Sequence, residues 1–285
     1  MEEREQTISH CESGTGGCNR GQEEKGAWII AGAVLLGSLM IAASLLVSEK
    51  SKGGSASVTP TSPTAAQPGT QPVAQPSVTF EQVQGLLNGK NISFGNKKSK
   101  LIFVEFSDPS CPYCHVAAGK NPSLNKQFGS KFVLVKDGGS YVAPVPEMKK
   151  LVDAGKAGFV WLYANGHGNG ELATKALYCA HEKGKFWEVH DLLMNETGYS
   201  LINNDVKNDV AKAGTLAEFL KSAVSVSDMK SCLESGKYDG RITEDMAVAQ
   251  QFGFRGTPSF FVNQTNYPGA VSFKDMQAVI DKELK

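Results

Sequence analysis

Apolar side chains are distributed very unevenly along the chain. Residues 26–48 form one uninterrupted apolar run without a charged side chain, long enough to span a bilayer as a helix at about 1.5 Å per residue. The next segment, residues 49–77, is rich in Pro, Ser, Thr and Gln. From residue 78 onward, short apolar runs alternate with amphipathic stretches. This last pattern is typical of a folded domain.

We interpret residues 26–48 as a transmembrane helix that acts as a signal anchor. A leader of 25 residues precedes the run, which is long for the n-region of a cleaved signal peptide. Cleavage stays open as the alternative, because Ser55-Ala56-Ser57 offers small residues of the kind found at cleavage sites. Two basic residues flank each end of the run, so charge alone does not set its orientation.

The segments on either side of the anchor are predicted to be disordered. Residues 1–25 form an acidic, Gly-rich tail, whose Cys11, Cys18 and His10 are too few for a tetrahedral metal site. Residues 49–77 hold 5 of the chain's 12 prolines and little apolar surface to bury. We expect them to be a linker that holds the following domain away from the bilayer.

The periodicity of residues 78–285 predicts an α/β domain. Apolar runs predict strands over residues 100–106, 132–136, 158–163, 259–262 and 269–271. Helical patterns predict helices over residues 79–88, 111–128, 145–154 and 273–284, and a long helical stretch over residues 171–252. The order is that of an α/β fold with a helical insertion between its core strands.

Composition excludes several classes of function. The chain has 29 basic and 29 acidic residues, so it has no electrostatic footprint for nucleic acid. Its 6 cysteines are too few for a protein that replaces its core with disulfides. They are enough for redox chemistry, a metal site or a pair of bridges, and their spacing has to decide between these.

The strongest chemical motif is Cys111-Pro112-Tyr113-Cys114, which follows a predicted buried strand and opens a predicted helix. At a helix N-terminus, free N–H groups favour the Cys111 thiolate, and Pro112 suits the first helical position. Cys114, one turn further, becomes the less exposed, resolving thiol. A Cys111 thiol of lowered pKa makes their disulfide a stronger oxidant. A zinc site needs a second ligand pair that the sequence lacks, so we expect no metal.

Two other interpretations stay open. Residues 111–115 also spell C-x-x-C-H, the attachment pattern of c-type haem, with His115 as the iron ligand. Without haem, His115 is either a solvated helix residue or a modulator of the Cys111 thiolate. The other interpretation is a non-catalytic peptide-binding module in which the thiols are incidental.

Residues 103–114 (FVEFSDPSCPYC) resemble the active-site segment of the DsbA-like thiol–disulfide oxidoreductases, which have a thioredoxin fold. Residues 256–263 (GTPSFFVN) resemble the cis-proline segment that enters a core strand of that family. Residues 176–180 and 184–191 resemble its helical insertion, so the resemblance covers most of residues 91–285. The chain departs from the family in its polar residues 108–110 and in an apparent extra hairpin and helix before the third strand.

The resemblance implies a role for each matched residue. Cys111 is the attacked cysteine, and Cys114 is its resolving partner. Pro258 is the cis-proline beside them, and the Thr257 backbone pairs with an extended substrate peptide. Glu105, on the strand beneath, is the buried carboxylate that handles the Cys114 proton. The alternative for Glu105 is a solvated glutamate of an edge strand.

The resemblance also implies a structural disulfide between Cys179 and Cys232. Closing a loop of about 50 residues stabilises a fold by roughly 3–4 kcal/mol in the chain-entropy model. Two separate buried thiols are the alternative, since free Cys packs as a small apolar residue.

Taken together, these features predict a membrane-tethered oxidoreductase on the extracytoplasmic side, which uses its redox disulfide and no cofactor. Its substrates are exported proteins with cysteine thiols. Its partner is a quinone-linked membrane reoxidant of the DsbB-like or VKOR-like kind. Oxidase activity is favoured over isomerase or reductase activity.

Overall fold

The structure, a computed structural model, describes residues 77–285. The predicted cytoplasmic tail, the predicted transmembrane helix and all of the predicted linker except Ser77 lie outside the described residues. Within residues 77–285, no helix combines the length and the apolar character needed to cross a membrane.

A mixed sheet with the strand order β1-β3-β2-β4-β5 forms the centre of the domain. Strands β2 and β3 are parallel, and the other neighbouring pairs are antiparallel. Every residue of β2 and β3 is buried, because helices cover both faces of the sheet. The strands are β1 Ile92–Gly95, β2 Ile102–Ser107, β3 Gly158–Tyr163, β4 Ser259–Val262 and β5 Thr265–Pro268.

The helices fall into a core set and an insertion between β3 and β4. The core helices are α1 Phe80–Gly85, α2 Pro112–Ala118, α3 Pro122–Gln127, α4 Pro144–Asp153 and, after the last strand, α11 Phe273–Glu283. The insertion contains α5 Glu171–Glu182, α6 Phe186–Leu193, α7 Glu196–Ser200, a π-helical turn Leu201–Val206, α8 Ala213–Phe219, α9 Val226–Glu234 and α10 Asp239–Gln251. Short 3₁₀ turns lie at Ser130–Phe132, Val135–Asp137 and Val210–Lys212. This is the predicted α/β fold with a helical insertion.

The predicted helix over residues 111–128 is wrong in its continuity. Gly119 ends α2 in the left-handed conformation, with φ 65°, and Asn121 caps a second helix that starts at Pro122. Proline lacks the N–H that a continuous helix requires, so it fits the first turn of a new helix instead.

Two predicted strands are also wrong. Residues 132–136 form 3₁₀ turns, and within the described chain they make one isolated bridge, between Leu134 and Tyr141. The last strand is Thr265–Pro268 instead of residues 269–271, because a two-residue turn at Asn263 brings the chain back against β4 at once. Strand β1 was not predicted, since its four residues ISFG are a short run among polar and glycine residues.

The sheet register positions the site. Strand β2 is antiparallel to β4, and Phe106 pairs with Ser259. The loop that follows β2 therefore meets the segment that precedes β4 at one edge of the sheet. These two segments carry the C-x-x-C motif and the Thr257–Pro258 pair.

Candidate active site

The two cysteines of the motif lie in unlike environments. Cys111 is the N-cap residue of α2, with an extended backbone, and Pro112 is its first helical residue. The Cys111 Sγ lies 3.6 Å from the Thr257 carbonyl oxygen. Cys114 is fully buried one turn further, where the Asp108 N–H lies 3.5 Å from its Sγ. Both cysteines are free thiols in the structure.

These environments move the two thiol pKa values apart. A hydrogen bond from Cys114 lowers the pKa of Cys111 to about 7, against the opposing effect of its partial burial. Thr257 and the first backbone N–H groups of α2 lower it further. Burial raises the pKa of Cys114 well above its ordinary value, and the neighbouring Cys111 raises it again. Cys111 is therefore the thiolate of the pair near neutral pH, and Cys114 keeps its proton.

The Thr257–Pro258 peptide bond is cis, as the resemblance implies, and it lies beside Cys111. Pro258 is buried and Thr257 is half-buried, so the segment offers the backbone of Thr257 at the surface next to the reactive sulfur. A groove of about 500 Å³ continues from this point and is lined by Tyr113, Phe132, Tyr141 and Pro268 among others.

Glu105 lies on the central strand β2 and is completely buried. The alternative of a solvated edge-strand glutamate is wrong, because strands β3 and β4 flank β2 on both sides. Neither carboxyl oxygen has a hydrogen-bond partner within the described residues. Burial raises the pKa of Glu105 to about 7, partly offset by His190 and Ser107. A carboxyl group poised near neutral pH is suited to give and take a proton.

Asp108 is a site residue whose role the sequence analysis missed. Its side chain accepts hydrogen bonds from the N–H and hydroxyl of Ser110 and from the backbone N–H groups of Gly166 and His167. A Cβ added to Gly166 would lie 1.6 Å from the Thr257 hydroxyl, so only glycine fits at this approach. The start of the Gly-rich segment 166–170 is thus held next to Asp108 and Thr257. The sequence feature that could have indicated this role is the polar character of residues 108–110, directly before the first cysteine.

His115 is completely buried, which contradicts its interpretation as a solvated residue. Its Nδ1 lies 2.8 Å from the Met194 carbonyl oxygen, and its Nε2 lies 2.8 Å from the Pro109 carbonyl oxygen. Burial lowers the pKa of His115 to about 4. Both ring nitrogens are occupied by backbone carbonyls, which disfavours His115 as the axial ligand that a C-x-x-C-H haem site requires. The residue instead ties the loop before Cys111 to the helical insertion.

The remaining cysteines lie in the insertion. Cys179, on α5, and Cys232, on α9, form a disulfide. It links two helices that are 53 residues apart in sequence. Among the described residues, no group of three or more His, Cys, Asp or Glu side chains is placed to hold a metal ion.

Comparisons with known proteins find similar sequences and a similar fold. A family model described as Thioredoxin matches residues 145–282, which follow the C-x-x-C motif. Disulfide bond formation protein D of Bacillus subtilis is 21% identical over 197 residues, which cover 67% of this chain and 76% of that protein. The match to the α-DsbA1 structure from Wolbachia pipientis covers 71% of this chain and 96% of that chain, with 17% identity and a TM-score of 0.51.

A longer protein also matches. Na(+)/H(+) antiporter NhaA 3 of Salinispora tropica is 24% identical over 189 residues, which cover 65% of this chain. The match covers 24% of the antiporter, so this chain spans about a quarter of that relative's length. The thioredoxin-like sheet, the helical insertion between β3 and β4, and these similarities agree with one another. The chain therefore has a thioredoxin-like fold and is similar in sequence to protein-disulfide oxidoreductases, which supports a DsbA-like family.

Proposed function

We propose that this chain is a thiol–disulfide oxidoreductase that transfers its Cys111–Cys114 disulfide to cysteine thiols of exported proteins. The observation that carries the proposal is the unequal pair of thiols. The pKa of Cys111 is lowered to about 7, whereas burial raises the pKa of Cys114. A disulfide between such thiols is attacked at Cys111, which is the less buried of the two sulfur atoms and later the better leaving group.

The reaction takes two exchanges. A substrate thiolate attacks the Cys111 sulfur, so the Cys111–Cys114 bond breaks and a mixed disulfide forms. Cys114 leaves as a buried thiolate and takes the proton of Glu105. A second substrate thiolate then attacks the substrate sulfur of the mixed disulfide and releases the Cys111 thiolate. The substrate has lost two electrons, and the chain holds them as a reduced cysteine pair.

The groove next to the motif supports an extended protein substrate. Thr257 lies beside Cys111, two residues before the start of β4, and offers backbone groups with which a peptide pairs as an added strand. The groove of about 500 Å³ then takes the side chains that follow the substrate cysteine. Tyr113 is 40% exposed at the mouth of this groove and supplies an aromatic contact surface.

We also propose where the protein works. The apolar residues 26–48 are a signal anchor, and the domain lies on the extracytoplasmic side of the cell membrane, where disulfides persist. Repeated turnover then needs an oxidant for the reduced cysteine pair. We assign this role to a quinone-linked membrane protein, DsbB-like or VKOR-like, and expect no bound cofactor on this chain.

The decisive experiment measures oxidation of a two-cysteine peptide by the disulfide form of the protein. Cys111→Ser is expected to abolish oxidation. Cys114→Ser has no disulfide to donate; when the peptide is supplied in its disulfide form, the Cys111 thiolate of this variant is expected to attack it and to accumulate as a mixed disulfide, with release of the peptide's other thiol. The reduction potential of the pair, read in glutathione buffers by alkylation and mass, then separates the directions. A potential above that of the glutathione pool means an oxidase, whereas a lower one means a reductase or an isomerase. If Cys111→Ser folds and still oxidises the peptide, the proposal is wrong.

A further inference from the structure

His190 is a buried titratable residue that the reaction above does not use. It lies on α6 of the insertion, and its exposed fraction is 1%. The Nδ1 of His190 lies 3.3 Å from Asp191, and Asp191 pairs with Lys120 at the surface. The other ring nitrogen, Nε2, is buried without a hydrogen-bond partner within residues 77–285.

The position of His190 puts this nitrogen on the same side of the sheet as Glu105. Glu105 pairs with Trp161 across β2 and β3, so the two side chains share a face. The Trp161 ring packs edge-on against Phe186, with centroids 6.1 Å apart, and Phe186 stacks on His190 at 5.6 Å. The His190 ring therefore packs, through Phe186, on the face of the sheet that carries Glu105, with Asp191 and Lys120 on its surface side.

Several buried polar atoms on this face share the same condition. Both carboxyl oxygens of Glu105, the Ser107 hydroxyl, the Trp161 indole nitrogen, the Tyr163 hydroxyl and His190 Nε2 make no hydrogen bond to any residue in the described part of the chain. Buried polar groups in native proteins are satisfied, and ordered water satisfies those that lack protein partners. Glu105 and His190 make no direct hydrogen bond to each other, yet the charge of His190 opposes the rise in the pKa of Glu105.

We propose that His190 is the positioning residue that sets when Glu105 releases its proton, through ordered water on one side and Asp191 on the other. Asp191 holds the Nδ1 side of the His190 ring, which leaves Nε2 as the nitrogen available to the water on the side of the Glu105 carboxylate. The charge of His190 favours that carboxylate, and the proton that Glu105 exchanges passes by His190 to the surface. This inference rests on the proposed function, because it takes Glu105 as the proton partner of Cys114.

The groups that face His190 are few. Asp191 lies on its own helix, Glu105 on β2 and His115 on α2, and Lys120 is reached through Asp191. His115 is held by two backbone carbonyls. Its pKa of about 4 keeps it neutral through the range in which Glu105 titrates. Near neutral pH, Glu105 is thus the partner of His190 whose charge changes, and Asp191 is the partner that carries a constant negative charge.

The test titrates Glu105 in the full-length protein by the ¹³C shift of its carboxyl group, assigned with Glu105→Gln. In His190→Gln, the midpoint of Glu105 is expected to rise by about one pH unit, because a favourable positive charge is removed. The control is His181→Gln. His181 packs against the same Phe186 ring, with centroids 6.4 Å apart, and is not among the groups that face Glu105. An unchanged midpoint in His190→Gln, or an equal rise in His181→Gln, overturns the proposal.

A second readout separates a proton role from a packing role. The pH profile of single-turnover peptide oxidation is expected to lose rate as Glu105 ionises. In His190→Gln the pH at which this loss of rate occurs is expected to rise together with the Glu105 midpoint, while the pH midpoint of Cys111 alkylation stays unchanged. If the pH of this rate loss does not shift with the Glu105 midpoint, the proposed role of His190 in proton exchange is wrong.

The same measurements keep the two proposals apart. If the wild-type protein oxidises no dithiol peptide, the proposed function fails, and the carboxyl titration still tests the link between His190 and Glu105. If His190→Gln does not fold, Asp191→Asn tests the link from the surface. This variant weakens the hold on the His190 proton and is expected to raise the Glu105 midpoint by a smaller amount. A midpoint equal to wild type in Asp191→Asn then counts against the proposal.

Discussion

Replacing the buried carboxyl group Glu105 with glutamine is expected to stabilise the domain. Burial raises the pKa of Glu105 from 4.5 to about 7, so the folded state resists its ionisation, whereas the unfolded chain ionises freely. Between these two pH values the folded state therefore loses stability as pH rises. The difference corresponds to about 3 kcal/mol above pH 7 and about 1 kcal/mol at pH 5.

Urea unfolding of wild type and Glu105→Gln, both with Cys111 and Cys114 in the disulfide form, measures this difference. We expect the variant to be more stable by about 3 kcal/mol at pH 8 and by about 1 kcal/mol at pH 5. Glu81→Gln is the matched control, since Glu81 is exposed and its substitution is expected to change stability by less than about 0.5 kcal/mol at either pH. A Glu105→Gln effect that is the same at both pH values would refute the reasoning.

The remaining predictions concern the other residues of the site and the insertion. Alkylation of Cys111 is expected to follow a pKa of about 7, and Thr257→Val is expected to raise this midpoint, because Thr257 helps to lower it; an unchanged midpoint contradicts this role. Replacing Cys179 and Cys232 together with alanine removes a link across 53 residues and is expected to lower the free energy of unfolding by about 4 kcal/mol in the chain-entropy model, measured by urea unfolding. His115 has a pKa lowered from 6.5 to about 4, so its contribution is complete above pH 6.5 and is lost as pH falls toward 4. This loss amounts to about 3 kcal/mol and is expected to disappear in His115→Gln; an equal loss in both proteins contradicts the assignment.

The buried acid Glu105 and the buried base His115 have opposite effects on how stability depends on pH. Between about pH 4.5 and 6.5, protonation of Glu105 favours the folded state while protonation of His115 disfavours it. Wild type is therefore expected to show a flatter pH dependence of stability than either single variant. The free energy of unfolding of Glu105→Gln and of His115→Gln, measured over this range, is expected to show the pH dependence of the one residue that each variant retains.

Much of the fold was predictable because its strongest signals are local. The apolar runs that became β2 and β3 are buried on both faces, and such strands read as continuous hydrophobic segments. Strand β1 and the 3₁₀ turns of residues 130–137 were missed or misassigned, because their conformation depends on which strand lies beside them. A run such as FVLVK in residues 132–136 has strand-like composition, yet its isolated bridge does not extend into a ladder.

The site was predictable where its residues lie in one motif and not where they meet across the fold. Cys111 and Cys114 are adjacent in sequence, and their different environments follow from their places in a helix. The roles of Asp108 and His190 and the burial of His115 were not predicted, because the fold and not the residue type determines them. Nothing in the sequence distinguishes a buried histidine from a solvated one on a helix surface.

The Asp108 side chain joins segments that are synthesised far apart. It binds the N–H groups of Gly166 and His167, and Gly166 packs against Thr257, which itself contributes to the lowered pKa of Cys111. A growing chain that has not yet reached Thr257 lacks this contribution, so the pKa of its Cys111 is higher than in the complete fold. The lowered pKa of Cys111 is therefore complete only when the last part of the domain has been made and has folded.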